Sequence, residues 1–208
     1  MKKYLTEFIG TFFLVLTIGM TVIDPGAGGL APIAIGAALM VMIFAGAHVS
    51  GAHYNPAVTL GVWLRGRCPT KDVLPYMAAQ IAAAAIAAII VHFFKGNPPP
   101  TPATIKIVPA LLAELIGTFA LVYVVLNVAT AKGTAGNLFY GLAIGFTVTA
   151  MAFAFGGVSG GAFNPAVAVG ITLMHLADTS NIWIYLVANF AAATLAALTF
   201  KFINPEDK

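Results

Sequence analysis

The chain has 208 residues, 60% of them hydrophobic and 8% charged, with a formal net charge of +3. Soluble domains carry roughly 25% charged residues, and a mean hydropathy of +0.95 would leave a water-soluble globule with large exposed apolar patches. That excludes a soluble protein and makes a lipid bilayer the expected solvent, while the few bases, scattered at the ends of apolar runs, form no stripe that would bind nucleic acid.

A membrane-crossing helix needs about 20 mostly apolar residues. Taken in chain order, the first such run covers roughly 4–24. It follows Met-Lys-Lys, as a signal peptide would, but no small-residue cleavage site follows it and more apolar runs do, so it reads as a permanent span. The second covers 30–49, and after it comes a piece at about 54–64 that is too short to cross and reads as a re-entrant half-helix. A third span at 71–94 ends in the linker 96–105, where prolines at 98, 99, 100 and 102 forbid a helix. Spans at 107–130 and 137–155 follow, then a second short piece at about 163–174 and a last span at 180–202. The expected architecture is an all-α membrane protein of six transmembrane helices and two half-helices, with residues 1–208 forming one channel domain.

The linker divides the chain nearly in half, and the halves repeat. Glu7–Val15 (EFIGTFFLV) and Glu114–Val122 (ELIGTFALV) agree at seven of nine positions, and Ser50–Gly61 (SGAHYNPAVTLG) and Ser159–Gly170 (SGGAFNPAVAVG) at seven of twelve. Each half, about 1–95 and 106–208, has three full spans, an odd number, so the second must enter the bilayer from the opposite side as an inverted repeat. With the N-terminus cytoplasmic, Lys2, Lys3, Arg65, Arg67, Lys71, Lys132, Lys201 and Lys208 fall inside and only Lys95 and Lys106 outside. That positive-inside bias places both termini in the cytoplasm of a cell membrane.

Pro56 and Pro165 suit the first turn of a helix, where their missing N–H is not needed. Asn55 and Asn164 stand before them at the favoured N-cap. Each short piece therefore starts a helix inside the bilayer, with its positive dipole end at the midplane. Irregular backbone at that depth must line a cavity or be buried in protein. Facing starts give a narrow, mostly apolar tube with two asparagine amides and two positive dipole ends at its centre, which repel cations and protons and admit neutral hydrogen-bonding molecules. The two Asn-Pro-Ala triplets (Asn55, Pro56, Ala57 and Asn164, Pro165, Ala166) and the loops before them resemble the two signatures of the aquaporin and aquaglyceroporin family of major intrinsic proteins. The resemblance covers nearly the whole chain. It implies a homotetramer with one pore per subunit, conducting water or small neutral solutes without a cofactor. It also implies carbonyl ladders at Gly51, Ala52 and His53 and at Gly160, Gly161 and Ala162, and an outer selectivity filter at Ile35, Ala152, Gly161 and Val167. Most members carry arginine where this chain has Val167, so the filter here is expected to be wide and apolar. Ala168 likewise matches neither the serine of water channels nor the aspartate of glycerol channels.

Glu7 and Glu114 are ionisable groups within spans, which invites a functional reading such as proton coupling. The simpler reading is that each accepts hydrogen bonds from the irregular loop before its half-helix. His48 and His53 flank the first motif as hydrogen-bonding groups or a pH gate, and two histidines without a third ligand make no metal site. Trp63, Trp183 and Tyr185 read as interfacial anchors or packing residues, Gly10 and Gly117 as sites of close helix crossing, and the alanines of 82–85 and 191–193 as close-packing positions. His175 and Asp178 read as solvent-facing, and Cys68 as a packing residue. No nucleophile–base pair suggests an enzyme. A secondary transporter with inverted repeats remains the main alternative, and a strictly water-selective channel the second.

Overall fold

The computed structural model describes residues 1–99 and 102–207. Pro100 and Thr101 of the expected linker, and Lys208 among the counted bases, lie outside the described residues. Among the described residues there are eight α-helices: α1 Lys2–Val22, α2 Ala31–Ser50, α3 Pro56–Leu64, α4 Thr70–Lys95, α5 Ile107–Ala129, α6 Tyr140–Ser159, α7 Pro165–Leu173 and α8 Ile182–Ile203. All but α3 and α7 are long and apolar enough to cross a bilayer. The largest departure from the sequence reading is α6, expected at 137–155. It starts later because Asn137 folds a turn, accepting from Phe139 N–H at 3.1 Å and donating to Val128 O at 2.7 Å. It runs on through Gly156 and Gly157 because its last residue, Ser159, is anchored to Glu114 at 2.7 Å.

The two halves interlock. α1 packs on α4 and α2, α5 on α8 and α6, and α2 meets α6 between the halves. Each half-helix lies chiefly against the third span of the other half, α3 on α8 and α7 on α4. Alanines stand at these contacts: a Cβ added at Gly170 would lie 3.7 Å from Ala84 Cβ, and one at Gly61 the same distance from the Ala193 carbonyl, though Val15 and Val122 stand nearer to the two glycines. Helix backbones meet closely at Gly36 and Gly145 rather than at Gly10 or Gly117: a Cβ at either would come within 2.6 Å of the other helix's carbonyl oxygen. Gly10 and Gly117 instead seat aromatic rings. A Cβ at Gly10 would stand 2.2 Å from the Tyr54 ring, and one at Gly117 2.3 Å from Phe163.

Loop contacts sort the charges to two ends. At the near end, which carries residues 1 and 207, Lys3 pairs with Asp72, and Tyr4 Oη donates to the same carboxylate at 2.8 Å. At the far end Lys95 Nζ donates to Ile23 O at 2.7 Å, and Ala103 N–H to Leu176 O at 3.1 Å. Tyr185 is 1% exposed, so of its two readings it takes that of a packing residue, whereas Trp63 and Trp183 remain on the surface. Asp178 is a cap, accepting from Ser180 Oγ at 2.7 Å and Ser180 N–H at 2.8 Å, and the hydroxyl and then the amide bond hold its carboxyl below the usual range.

Near the end of the described chain, Asp207 ties three segments together. It accepts from Arg65 Nη2 at 2.5 Å and from the Lys132 amide at 2.7 Å, with Arg67 at 3.7 Å. The buried Arg65 guanidinium also lies 4.5 Å from the Phe200 ring centroid. The Lys132 amide chiefly holds the Asp207 carboxyl below its ordinary range, against the opposing effect of burial and with help from the Arg65 guanidinium. A depressed carboxyl stabilises the fold above its unfolded-state pKa and loses that contribution as pH falls through the folded value. Asp207→Asn is therefore expected to lower the melting temperature at neutral pH, by an amount that shrinks on acidification below about pH 4. A deficit that stays constant across that range would remove the charge pair as its cause.

Candidate functional site: a re-entrant pore

Two glycines turn the chain into the site. α2 ends at Gly51 (φ 87°) and α6 at Gly160 (φ 90°), both in the left-handed conformation that only glycine adopts freely and that ends helices. The chain then re-enters the bundle through residues that share this strained region, Ala52 (φ 52°) and Tyr54 (φ 50°) in one loop, Gly161 (φ 65°) and Phe163 (φ 48°) in the other. Such conformations cost of order 1–3 kcal/mol each for non-glycine residues and need an over-determined setting.

Buried carboxylates supply it. Glu7, fully buried in α1, accepts from Ser50 Oγ at 2.6 Å, His53 N–H at 3.0 Å and Tyr54 N–H at 2.7 Å. Glu114, fully buried in α5, accepts from Ser159 Oγ at 2.7 Å, Ala162 N–H at 2.9 Å and Phe163 N–H at 2.7 Å. Behind each loop a tyrosine hydroxyl donates to the serine carbonyl, Tyr76 to Ser50 O and Tyr185 to Ser159 O, both at 2.7 Å. Gln80 Nε2 adds a bond to Glu7 at 2.8 Å. At the equivalent place in α8, Asn189 accepts from Thr118 Oγ1 at 2.8 Å. The sequence reading did not single out Tyr76, Gln80 or Asn189, and it gave Ser50, Ser159 and Tyr185 no part in holding the loops. The signal was there: Tyr-x-x-Ala-Gln at 76–80 repeats as Tyr-x-x-Ala-Asn at 185–189.

The two asparagines close the symmetry. Asn55 Oδ1 accepts from Ala57 N–H at 2.8 Å and Val58 N–H at 3.4 Å, and Asn164 Oδ1 from Ala166 N–H at 2.9 Å and Val167 N–H at 3.4 Å. Each caps its half-helix in the way the sequence suggested. Each Nδ2 then crosses to the other loop, Asn55 to Phe163 O and Asn164 to Tyr54 O, both at 2.9 Å. An amide NH₂ has two hydrogens, so one brace leaves one hydrogen free on each asparagine.

These atoms border a cavity of about 510 Å³ that opens toward the far end past Gly28, Gly29, Ala103 and Leu176. Ile35, Ala152, Gly161 and Val167 all line it, as do Gly160, Ala162, Asn55 and Asn164. Among its lining side chains only those of His53, Tyr54, Asn55 and Asn164 carry a nitrogen or oxygen atom, and none belongs to Asp, Glu, Lys or Arg. The Tyr54 hydroxyl is spent on Met42 O at 2.9 Å. A second cavity of about 740 Å³ opens at the near end, lined by Gly51, Ala52, His53 and His48, with Arg67 and Lys132 at its rim. The described residues hold no group of three His, Cys, Asp or Glu side chains placed for a metal ion.

Comparison with known proteins agrees with this geometry. The sequence pattern of the family described as "Major intrinsic protein" matches residues 1–200. Aquaporin NIP1-4 of Oryza sativa subsp. japonica is 36% identical over 213 residues, covering 98% of this chain and 77% of that protein. Aquaporin AqpM of Methanothermobacter thermautotrophicus is 34% identical over 247 residues, covering 99% and 98%. The crystal structure of the aquaglyceroporin from Plasmodium falciparum superposes with a TM-score of 0.82 at 24% identity, over 98% of this chain and 97% of that one, and shows the shared fold. On sequence, architecture and paired re-entrant loops alike, this chain belongs to the major intrinsic protein family.

Proposed function

We propose that this chain is a passive channel for water and for at least one neutral solute larger than water, such as glycerol, urea or a metalloid acid, with ammonia and hydrogen peroxide as smaller candidates. The observation that carries this reading is the far mouth. Ile35, Ala152, Gly161 and Val167 put no charge and no side-chain donor into the cavity they line. Pore width and lining hydrogen bonds decide what a pore of this kind passes, and a wide apolar mouth lowers the penalty for carbon-bearing solutes. The loop amides of His53, Tyr54, Ala162 and Phe163 are bound by Glu7 and Glu114. That leaves the carbonyls of Gly51, Ala52 and His53, and of Gly160, Gly161 and Ala162, as acceptors along the lumen. The free amide hydrogens of Asn55 and Asn164 are the central donors. Both carboxylates are committed to loop amides, which argues against an acidic ion-coupling site and so against the transporter alternative. We extend the reading to a homotetramer in the cell membrane with the near end cytoplasmic, because the bases gather at that end, and to a single channel domain, because each half-helix packs on the opposite half.

Stopped-flow light scattering on proteoliposomes tests the reading. Val167→Arg should fill the mouth and add a directional donor, cutting the larger solute on the order of tenfold while water falls less. Liposomes that conduct water and exclude every neutral solute would overturn the wide mouth.

A further inference from the structure

The two cavities share five lining residues, Ile43, Ala52, His53, Val125 and Ile144. These residues stand where the two cavities adjoin. Ile35, Ala152, Gly161 and Val167 lie outside this group, bordering the far cavity alone. From this placement we infer that the passage selecting solutes by size is a neck around His53 rather than the far mouth, so that His53 sets the largest solute admitted. The inference rests on the neutral-solute reading above and locates its selective step.

Among the five, His53 is the one whose side chain carries nitrogen, and its ring is held on several sides. Nδ1 lies 3.1 Å from Thr59 Oγ1, and the ring stands edge-on to Tyr76 with centroids 5.1 Å apart at 65°. Thr59 is fixed in turn, 3.1 Å from Asn55 O and receiving Gln80 Nε2 at 3.1 Å, whose amide also binds Glu7. A Cβ at Gly51 would stand 3.4 Å from His53 Nε2, so the free ring nitrogen points toward a residue of the near vestibule. A ring locked in this way cannot swing aside for a wider solute.

The repeat shows why the neck sits on this side of the asparagines. Ala162 and Ala168 occupy the places of His53 and Thr59 in the second half. The Glu114 network therefore carries a methyl group where the Glu7 network carries an imidazole, and the far half of the pore stays wide. Symmetric backbones bear asymmetric side chains, and the asymmetry leaves one narrow point.

The full chain in proteoliposomes, challenged with glycerol, erythritol and xylitol, tests the inference by osmotic light scattering. His53→Ala and Val125→Ala widen the neck from two different elements. Each should raise xylitol passage relative to water on the order of tenfold, and His53→Phe should lower glycerol passage by a similar factor. If His53→Ala does not fold, Val125→Ala decides. The inference is overturned if the folded, water-conducting variants keep the wild-type polyol ratios. If the wild type passes water and no polyol, the wide-mouth reading fails on its own. The neck is then judged by whether the two alanine variants newly admit glycerol.

Discussion

Glu114→Ala is expected to cost the protein its second re-entrant loop and most of its stability. The substitution strips the acceptor from the Ser159 hydroxyl and from the amides of Ala162 and Phe163. These groups sit at bilayer depth, with no water to replace it. A buried donor left unpaired costs roughly 1–3 kcal/mol. Three together approach the roughly 5–15 kcal/mol that hold a typical domain folded. The left-handed backbone at Gly161 and Phe163 would lose the bonds that hold it in that shape. Glu114→Gln should be milder, because one amide oxygen still accepts while its NH₂ opposes a loop donor. Thermal unfolding in detergent, followed by size-exclusion chromatography, ranks the three proteins. An alanine variant as stable and as conductive as the wild type would show that the carboxylate does not hold the loop.

The second large effect concerns ions. Each half-helix presents about half a positive elementary charge at its N-terminus, so the paired starts at Pro56 and Pro165 place roughly one unit at the pore centre. Asn164→Asp would cancel it, and the double variant with Asn55→Asp would reverse its sign. The new carboxylate oxygen would also face the Tyr54 carbonyl that the Asn164 amide now binds at 2.9 Å, which breaks the brace between the loops. Proton and sodium leakage should rise in the single variant and rise further in the double. Dye-loaded proteoliposomes report both ions. Unchanged exclusion by a well-folded double variant would refute the dipole barrier.

Much of this architecture was legible in the residues because it is local or repeated. Twenty-residue apolar runs have one stable solution in lipid. Asparagine followed by proline starts a helix wherever it stands, and a repeat with an odd number of spans has to invert. Glu7 and Glu114 were also open to reading, since an acid inside a span needs partners and the irregular loops need acceptors. The partners were harder to see. Tyr185 read as an anchor or a packing residue because it stands near the start of an apolar run, and burial decided for packing, while Gly10 and Gly117 looked like helix-crossing sites because small residues often are.

What the tertiary structure decided is where distant side chains meet. Gly10 is small because the Tyr54 ring, from a loop more than forty positions away, rests on it, and the close crossing falls instead to Gly36 and Gly145. Tyr76 and Tyr185 find Ser50 and Ser159 because α4 and α8 pass behind the loops. The neck is of the same kind. Ile43, His53, Val125 and Ile144 come from three helices and a loop, and no spacing along the chain relates them. Periodicity and capping act over a turn or two of backbone, and so can be read from neighbouring residues. A pore's width is set by side chains facing one another across a lumen, and that depends on how the helices are packed.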